Sequence, residues 1–175
     1  MEEQLTKNNL TEIEFSVILT NYKERIYWHI RKMVIDHDDS DDITQDTFIK
    51  VYENLEKFKG DSDLFTWIYR IATNECLKFL RKKKRASIFS FSSLESELNN
   101  SLTSSVYVDG NEVEIKLQKA LLKLPDKQRL IFNMKYFDNM SYEEISSITE
   151  TSVGGLKASY HHAVKKIKKY ISLPD

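Results

Sequence analysis

The sequence predicts an all-α chain: two small helical domains joined by a flexible Ser-rich linker, the second containing a helix-turn-helix. Three observations predict it. The 175 residues include only 4 Gly and 2 Pro, too few for the repeated tight turns of an all-β fold. Apolar residues recur at three- and four-residue steps along most of the chain, the spacing that puts them on one face of a helix. Residues 86–111 break that pattern with eight serines and no Lys or Arg, a composition that resists packing and serves as a flexible spacer.

In the first domain, residues 12–85, the spacing predicts three helices. Phe15, Ile18, Leu19, Tyr22, Ile26, Ile30 and Met33 form the apolar stripe of a helix over 12–35. Ile43, Thr47, Phe48, Val51, Tyr52 and Leu55 do the same over 41–58, with Asp41 and Asp42 in the first turn, where the helix dipole favours acids. Phe58, Lys59, Gly60, Asp61 and Ser62 break this helix, and Ser62 is placed to cap a third one running to Arg85. Its buried stripe is Leu64, Ile68, Ile71, Ala72, Cys76 and Leu80.

The second domain, residues 112–172, opens with a helix through Val113, Leu117, Leu121 and Leu124 that Pro125 stops. Another follows through Leu130, Ile131 and Met134. Ser141 and Glu144 have the spacing of a capping box that opens a short helix, Thr149-Glu-Thr151 forms a turn, and Ser152 caps the last helix. A short helix, a tight turn and a longer basic helix outline a helix-turn-helix.

The net charge of −1 hides a segregation of sign. Residues 36–63 carry ten acids against three lysines, whereas residues 78–85 carry six basic side chains and no acid. A second acid-free stretch, 157–169, has five lysines with His161 and His162. Two basic surfaces on a neutral chain suit polyanion contact at two places, although each alone also fits a solvated helix face.

The last helix of a helix-turn-helix enters the major groove, which places Lys157, Ser159, His161 and His162 near bases or backbone and Lys165 near phosphates. Gly154 and Gly155 each cost the helix about 1 kcal/mol relative to Ala, and they leave backbone N–H groups bare for close approach to a phosphate. The third helix joins Phe65, Trp67 and Tyr69 to Arg70, Asn74, Lys78, Arg81 and Lys82. Aromatic faces with a basic track are what gripping a single strand requires; Trp67 fits simple packing as well. Asn74, with an amide on the solvent side, can read a base edge.

No catalytic residue, metal or cofactor is expected. Read as an EF-hand from Asp36, the acidic run puts Asp41 where glycine is needed and Thr47 where glutamate is needed. The hydroxyls have no His–acid partners in the sequence, and there is no glycine-rich phosphate loop. The lone Cys76 can form no intramolecular disulfide, and the start MEEQLTKNNL lacks the flank and apolar run of a signal peptide. No stretch approaches the roughly 18 apolar residues of a membrane span, so a cytoplasmic location without direct membrane insertion is expected.

Together the two halves resemble the extracytoplasmic-function sigma factors, two-domain members of the sigma-70 family. Asp41-Asp-Ile-Thr-Gln-Asp-Thr-Phe-Ile-Lys-Val-Tyr52 resembles the family's core-polymerase-binding helix, which implies docking through Asp41, Asp42, Ile43, Gln45, Asp46, Phe48, Ile49 and Tyr52. Phe65-Thr-Trp-Ile-Tyr-Arg-Ile-Ala-Thr-Asn74 is similar to the segment that melts the promoter minus-10 element. The likeness implies a base pocket at Phe58, Lys59, Gly60, Asp61 and Ser62, with strand contacts from Asn74 and the basic side chains after it. Leu124-Pro-Asp-Lys-Gln-Arg129, Ser141-Tyr-Glu-Glu-Ile145 and Ser152-Val-Gly-Gly-Leu-Lys157 resemble the minus-35 reader. Where the family often carries Arg, this chain has Ser159 and His162, and it has Lys78 where the family has Asp. An Arg replaced by Ser or His loses a bidentate guanine contact and a fixed charge. The partners implied are core RNA polymerase, promoter DNA as duplex and melted strand, and an anti-sigma factor. The alternative is a free-standing helix-turn-helix regulator, which would bind duplex without polymerase.

Overall fold

A computed structural model describes residues 2–87 and 112–172, with side chains from 14 to 86 and from 116 to 172. The predicted linker lies outside the described residues except for its first two positions, which continue the third helix. The described chain is helical: α1 Glu2–Val34, α2 His37–Asn54, α3 Leu64–Ser87, α4 Glu112–Leu122, α5 Asp126–Tyr136, α6 Tyr142–Thr149 and α7 Val153–Ile171.

Helix α1 starts ten residues before the periodicity begins and stops where Ile35 takes a left-handed backbone, φ 70°, a conformation unfavourable for a β-branched residue. Helix α2 starts earlier than expected. Asp36 caps it by accepting from the Asp39 amide at 2.9 Å, so Asp38 and Asp39, rather than Asp41 and Asp42, occupy the first turn. It also ends sooner, at Asn54, followed by a 3-10 turn at Leu55–Lys57. At α3 the cap shifts by one residue from Ser62 to Asp63, whose carboxylate accepts from the amides of Phe65 at 3.0 Å and Thr66 at 3.4 Å.

The three helices bury the stripes their spacing predicted: Ile26, Ile30 and Met33 from α1, Ile43, Phe48 and Val51 from α2, and Ile68, Ala72 and Cys76 from α3. Each large side chain so buried contributes about 1.5–3 kcal/mol. In the second half Ala120, Leu121, Leu124, Phe132, Ala163 and Ile167 form a separate core between α4, α5 and α7.

The two halves are in contact. Leu130, Ile131, Met134, Met140, Ile145, Ile148 and Leu156 join the core of the first bundle as one continuous apolar cluster. Helix α6 lies on α3, and α5 lies on the end of α1.

Candidate functional site

The polymerase-docking residues implied by the resemblance all fall on α2, and the helix sorts them. Asp42, Gln45 and Asp46 are exposed, Asp41 is half-buried, and Ile49 and Tyr52 expose 55% and 44% of their surface. Ile43 and Phe48 are buried. They point into the bundle and hold the helix in place, because a 3.6-residue period cannot put positions 43, 48, 45 and 49 on one face. The exposed face is a strip of acids with two large apolar side chains, and Phe15 of α1 packs edge-on against Tyr52 at 5.0 Å between ring centroids. Val17 of α1 is also exposed.

The expected strand-binding residues lie on the 58–62 loop and on α3. Gly60 has φ 75°, which few other residues adopt, and a β-carbon there would meet open space. Phe58 packs on Trp67 at 5.1 Å; Trp67 is half-buried, so packing and an accessible ring edge coexist. Lys59 and Asp61 are exposed and Ser62 is half-buried. On α3, Asn74, Lys78, Arg81 and Lys82 are exposed. Lys78 stays near Glu75 at 3.6 Å, and Glu75 also accepts from Lys50 of α2.

Arg70 is engaged elsewhere. Its guanidinium donates to the main-chain oxygen of Ser147 and lies 3.4 Å from Glu150, both in the second half. Asn74, Arg70 and Thr73 line a cleft of about 120 Å³ whose opposite wall is Lys127, Ile148, Thr149 and Thr151. Of the expected strand-binding residues on α3, Arg70 and Asn74 thus border the helix-turn-helix, while Lys78, Arg81 and Lys82 do not line this cleft.

In that motif Ser141 accepts from the Glu144 amide at 3.1 Å while the Glu144 carboxylate accepts from the Ser141 amide at 2.7 Å. These bonds hold the Glu144 carboxyl below its usual range. The turn runs through Glu150, in the left-handed region at φ 55°, and Ser152 caps α7 by accepting from the Gly155 amide at 3.3 Å. A β-carbon on Gly155 would stand 3.2 Å from that Ser152 hydroxyl, whereas one on Gly154 would meet nothing. Gly155 therefore makes room for the cap, and Gly154 leaves outward backbone bare. Lys157, His161, His162 and Lys165 are exposed on α7 at helical spacing, and Ser159 is half-buried at their edge. Lys157 also reaches the Tyr142 ring at 5.7 Å.

Sequence reasoning did not find the polar seam between the halves. Asp138, in the loop after α5, accepts from Lys32 of α1 and from the Tyr69 hydroxyl of α3, and His29 stands 3.7 Å away. Burial alone would raise the Asp138 carboxyl, but His29, Lys32 and Tyr69 together hold it below the usual carboxylate range. Burial pushes the His29 imidazole down, despite Asp138 beside it; His29 also shares a hydrogen bond with Thr73 at 3.1 Å. Burial raises the Tyr69 hydroxyl, which stays protonated and donates. No local pattern marks these positions, since the partners are up to 109 residues apart in sequence. Among the described residues there is no cluster of three His, Cys, Asp or Glu able to hold a metal ion, and no helix is long and apolar enough to cross a membrane.

Comparison with known proteins agrees with this geometry. Residues 18–86 match sigma-70 region 2 and residues 114–167 match sigma-70 region 4. The chain is 29% identical to the ECF RNA polymerase sigma factor SigW of Bacillus subtilis (strain 168), over 97% of this chain and 98% of that protein. It is 26% identical to the ECF RNA polymerase sigma-E factor of Escherichia coli (strain K12), over 95% of each. Among solved structures, the sigma factor RpoE, in complex with the anti-sigma factor NepR from Bartonella quintana, shares the fold with a TM-score of 0.68 at 22% identity, over 93% of this chain and 99% of that one. CnrH, in complex with the cytosolic domain of CnrY, does so with a TM-score of 0.63 at 20% identity, over 90% of this chain and 87% of that one. With region 2 in one half, region 4 in the other and full-length relatives of one kind, the chain belongs to the extracytoplasmic-function sigma factors of the sigma-70 family.

Proposed function

We propose that this sigma factor works through three surfaces, divided between a region 2 domain at 12–85 and a region 4 domain at 112–172. The exposed strip of α2 docks on core RNA polymerase: Asp41, Asp42, Gln45 and Asp46 supply charge that steers association, and Ile49 and Tyr52 supply the apolar anchor. The 58–62 loop holds flipped bases of the minus-10 element, and Arg70, Asn74, Lys78, Arg81 and Lys82 follow the strand. Unstacking costs a few kcal/mol by analogy with base extrusion, offset by pocket contacts and by binding to polymerase.

Helix α7 reads the minus-35 duplex. Lys157, His161 and His162 face the groove, and the bare amide of Gly154, with the Ser152 hydroxyl, approaches a phosphate at the helix N-terminus. Lys165 neutralises a phosphate further along. The protein supplies recognition and strand separation, and the polymerase supplies the chemistry, so no catalytic residue is assigned. Acting with core polymerase puts the chain in the cytoplasm, and the family likeness adds an anti-sigma protein to its partners.

The observation that carries this function is the exposed acidic and apolar strip of α2, which a free-standing duplex-binding regulator would not need. Co-elution with purified core polymerase, compared with a duplex shift in its absence, separates the two. A sigma factor binds core tightly and duplex alone poorly; tight duplex binding without core affinity would establish the regulator.

A further inference from the structure

We propose that the cleft between α3 and the end of α6 is a binding site for a phosphate group, carried either by inorganic phosphate or by a small phosphate monoester. This goes beyond the promoter role, because the ligand is a small anion and the site stands on the donors that meet in the cleft.

Arg70 and Asn74 of α3, Lys127 of α5, and Thr149 and Thr151 at the end of α6 share this space. Its polar groups are unbalanced toward donation. The Arg70 Nε is buried without a partner, although the rest of the guanidinium reaches the Ser147 oxygen and Glu150. A buried N–H left unpaired carries the cost of its lost water. The Lys127 ammonium and the Asn74 amide make no side-chain hydrogen bond or ion pair among the described residues. The Thr149 and Thr151 hydroxyls spend their protons on the main-chain oxygens of Ile145 and Thr149.

The charge has the sign an anion needs. Against two cations stands Glu150, whose side chain is 76% exposed, so water screens it. Asp126, next to Lys127, is already engaged by Lys84 and Arg129. Lys127 lies in the first turn of α5, whose N-cap, Pro125, makes no side-chain capping bond, and that end of a helix carries partial positive charge.

Size narrows the ligand further. The cleft holds about 120 Å³, below the roughly 300–1,000 Å³ of sites that enclose a drug-sized molecule. It suits the phosphate group alone, with any ester body left in solvent beyond the exposed Lys127 and Asn74. Guanidinium and ammonium donors make short, strong bonds to phosphate oxygens, whereas a neutral ligand would leave both cations uncompensated.

The test is isothermal titration calorimetry on the full chain at about pH 7.5, where phosphate is mostly doubly charged. Sodium phosphate and adenosine monophosphate are separate probes, with ionic strength held constant by chloride. Saturable binding at one site is expected. Lys127→Gln and Asn74→Ala change exposed side chains, so both should fold, and each should weaken binding about tenfold as one charge-assisted bond is lost. Lys119→Ala removes an exposed lysine outside the cleft and should leave binding unchanged.

Binding of both probes supports a site for the phosphate end of a monoester, and binding of inorganic phosphate alone supports a site for the free ion. Adenosine monophosphate binding alone would overturn the proposal, because the nucleoside would then be what is recognised. So would silence from both probes, or equal weakening by Lys119→Ala and Lys127→Gln, which marks diffuse attraction to a basic surface. The titration contains neither polymerase nor promoter, so its failure leaves the sigma mechanism standing.

Discussion

Arg129 donates to the main-chain oxygen of Met33 across 96 residues of sequence, so a side chain of the region 4 half finishes a helix of the region 2 half. The end of α1 needs that partner because its last turn runs into Ile35 in a left-handed conformation. Two consequences of this arrangement, and two of the site geometry, are open to measurement.

Ile35 is strained at φ 70° but also buried, 8% exposed. Ile35→Gly relieves the backbone and deletes the buried side chain. Loss of roughly 2–5 kcal/mol, by analogy with large-to-Ala core truncations, outweighs the relief of about 1–2 kcal/mol in a left-handed conformation. Urea denaturation should therefore show net destabilisation.

On α2, burial separates two kinds of substitution. Phe48→Ala should destabilise the fold by about 3–5 kcal/mol, because the ring is 4% exposed. Ile49→Ala with Tyr52→Ala should leave the melting temperature nearly unchanged and weaken core binding by tenfold or more, about 1.4 kcal/mol. Core affinity and thermal melts on the same preparations check both.

Stability should fall in acid. His29 faces Lys32 on its own helix, Tyr69 and Thr73 on α3, and Asp138 from the loop after α5. Burial lowers its pKa in the folded chain, so the unfolded chain takes up the proton first as pH falls below about 6.5. This contribution is fully present above that value and is lost progressively below it. The urea midpoint should fall from about pH 7.5 to about pH 5.5, within the range where histidine titrates. His29→Gln should flatten that part of the curve.

Helix α7 gives a salt-dependence prediction. Lys165→Ala should lower duplex affinity of the polymerase complex on every sequence and reduce the salt slope by about 1, as one phosphate contact is lost. His161→Ala, on the groove-facing side, should instead relax preference among minus-35 sequences.

How much was legible in the sequence depends on how far apart the partners are. The helices were visible because Ile26, Ile30 and Met33, or Ile68, Ala72 and Cys76, repeat within one element. Ser141 and Glu144 announced their capping box at a spacing of three. Neighbouring candidates blurred the caps: Asp63 outcompetes Ser62 because its carboxylate reaches two amides. At the site, the resemblance named Ile43 and Phe48 along with Ile49 and Tyr52, and only the packing of α2 separates supports from surface. Asp138 with Lys32 and Tyr69 had no sequence signal, since single charged residues in a loop look alike until the chain is folded.

Run-off transcription on genomic DNA with purified core polymerase, with and without this protein, followed by mapping of start sites, tests the central claim most directly. A sigma factor predicts new starts that share two upstream elements, and Asn74→Ala should reduce strand opening there more than positioning on the duplex. No new starts in the presence of a chain that binds core tightly would contradict it.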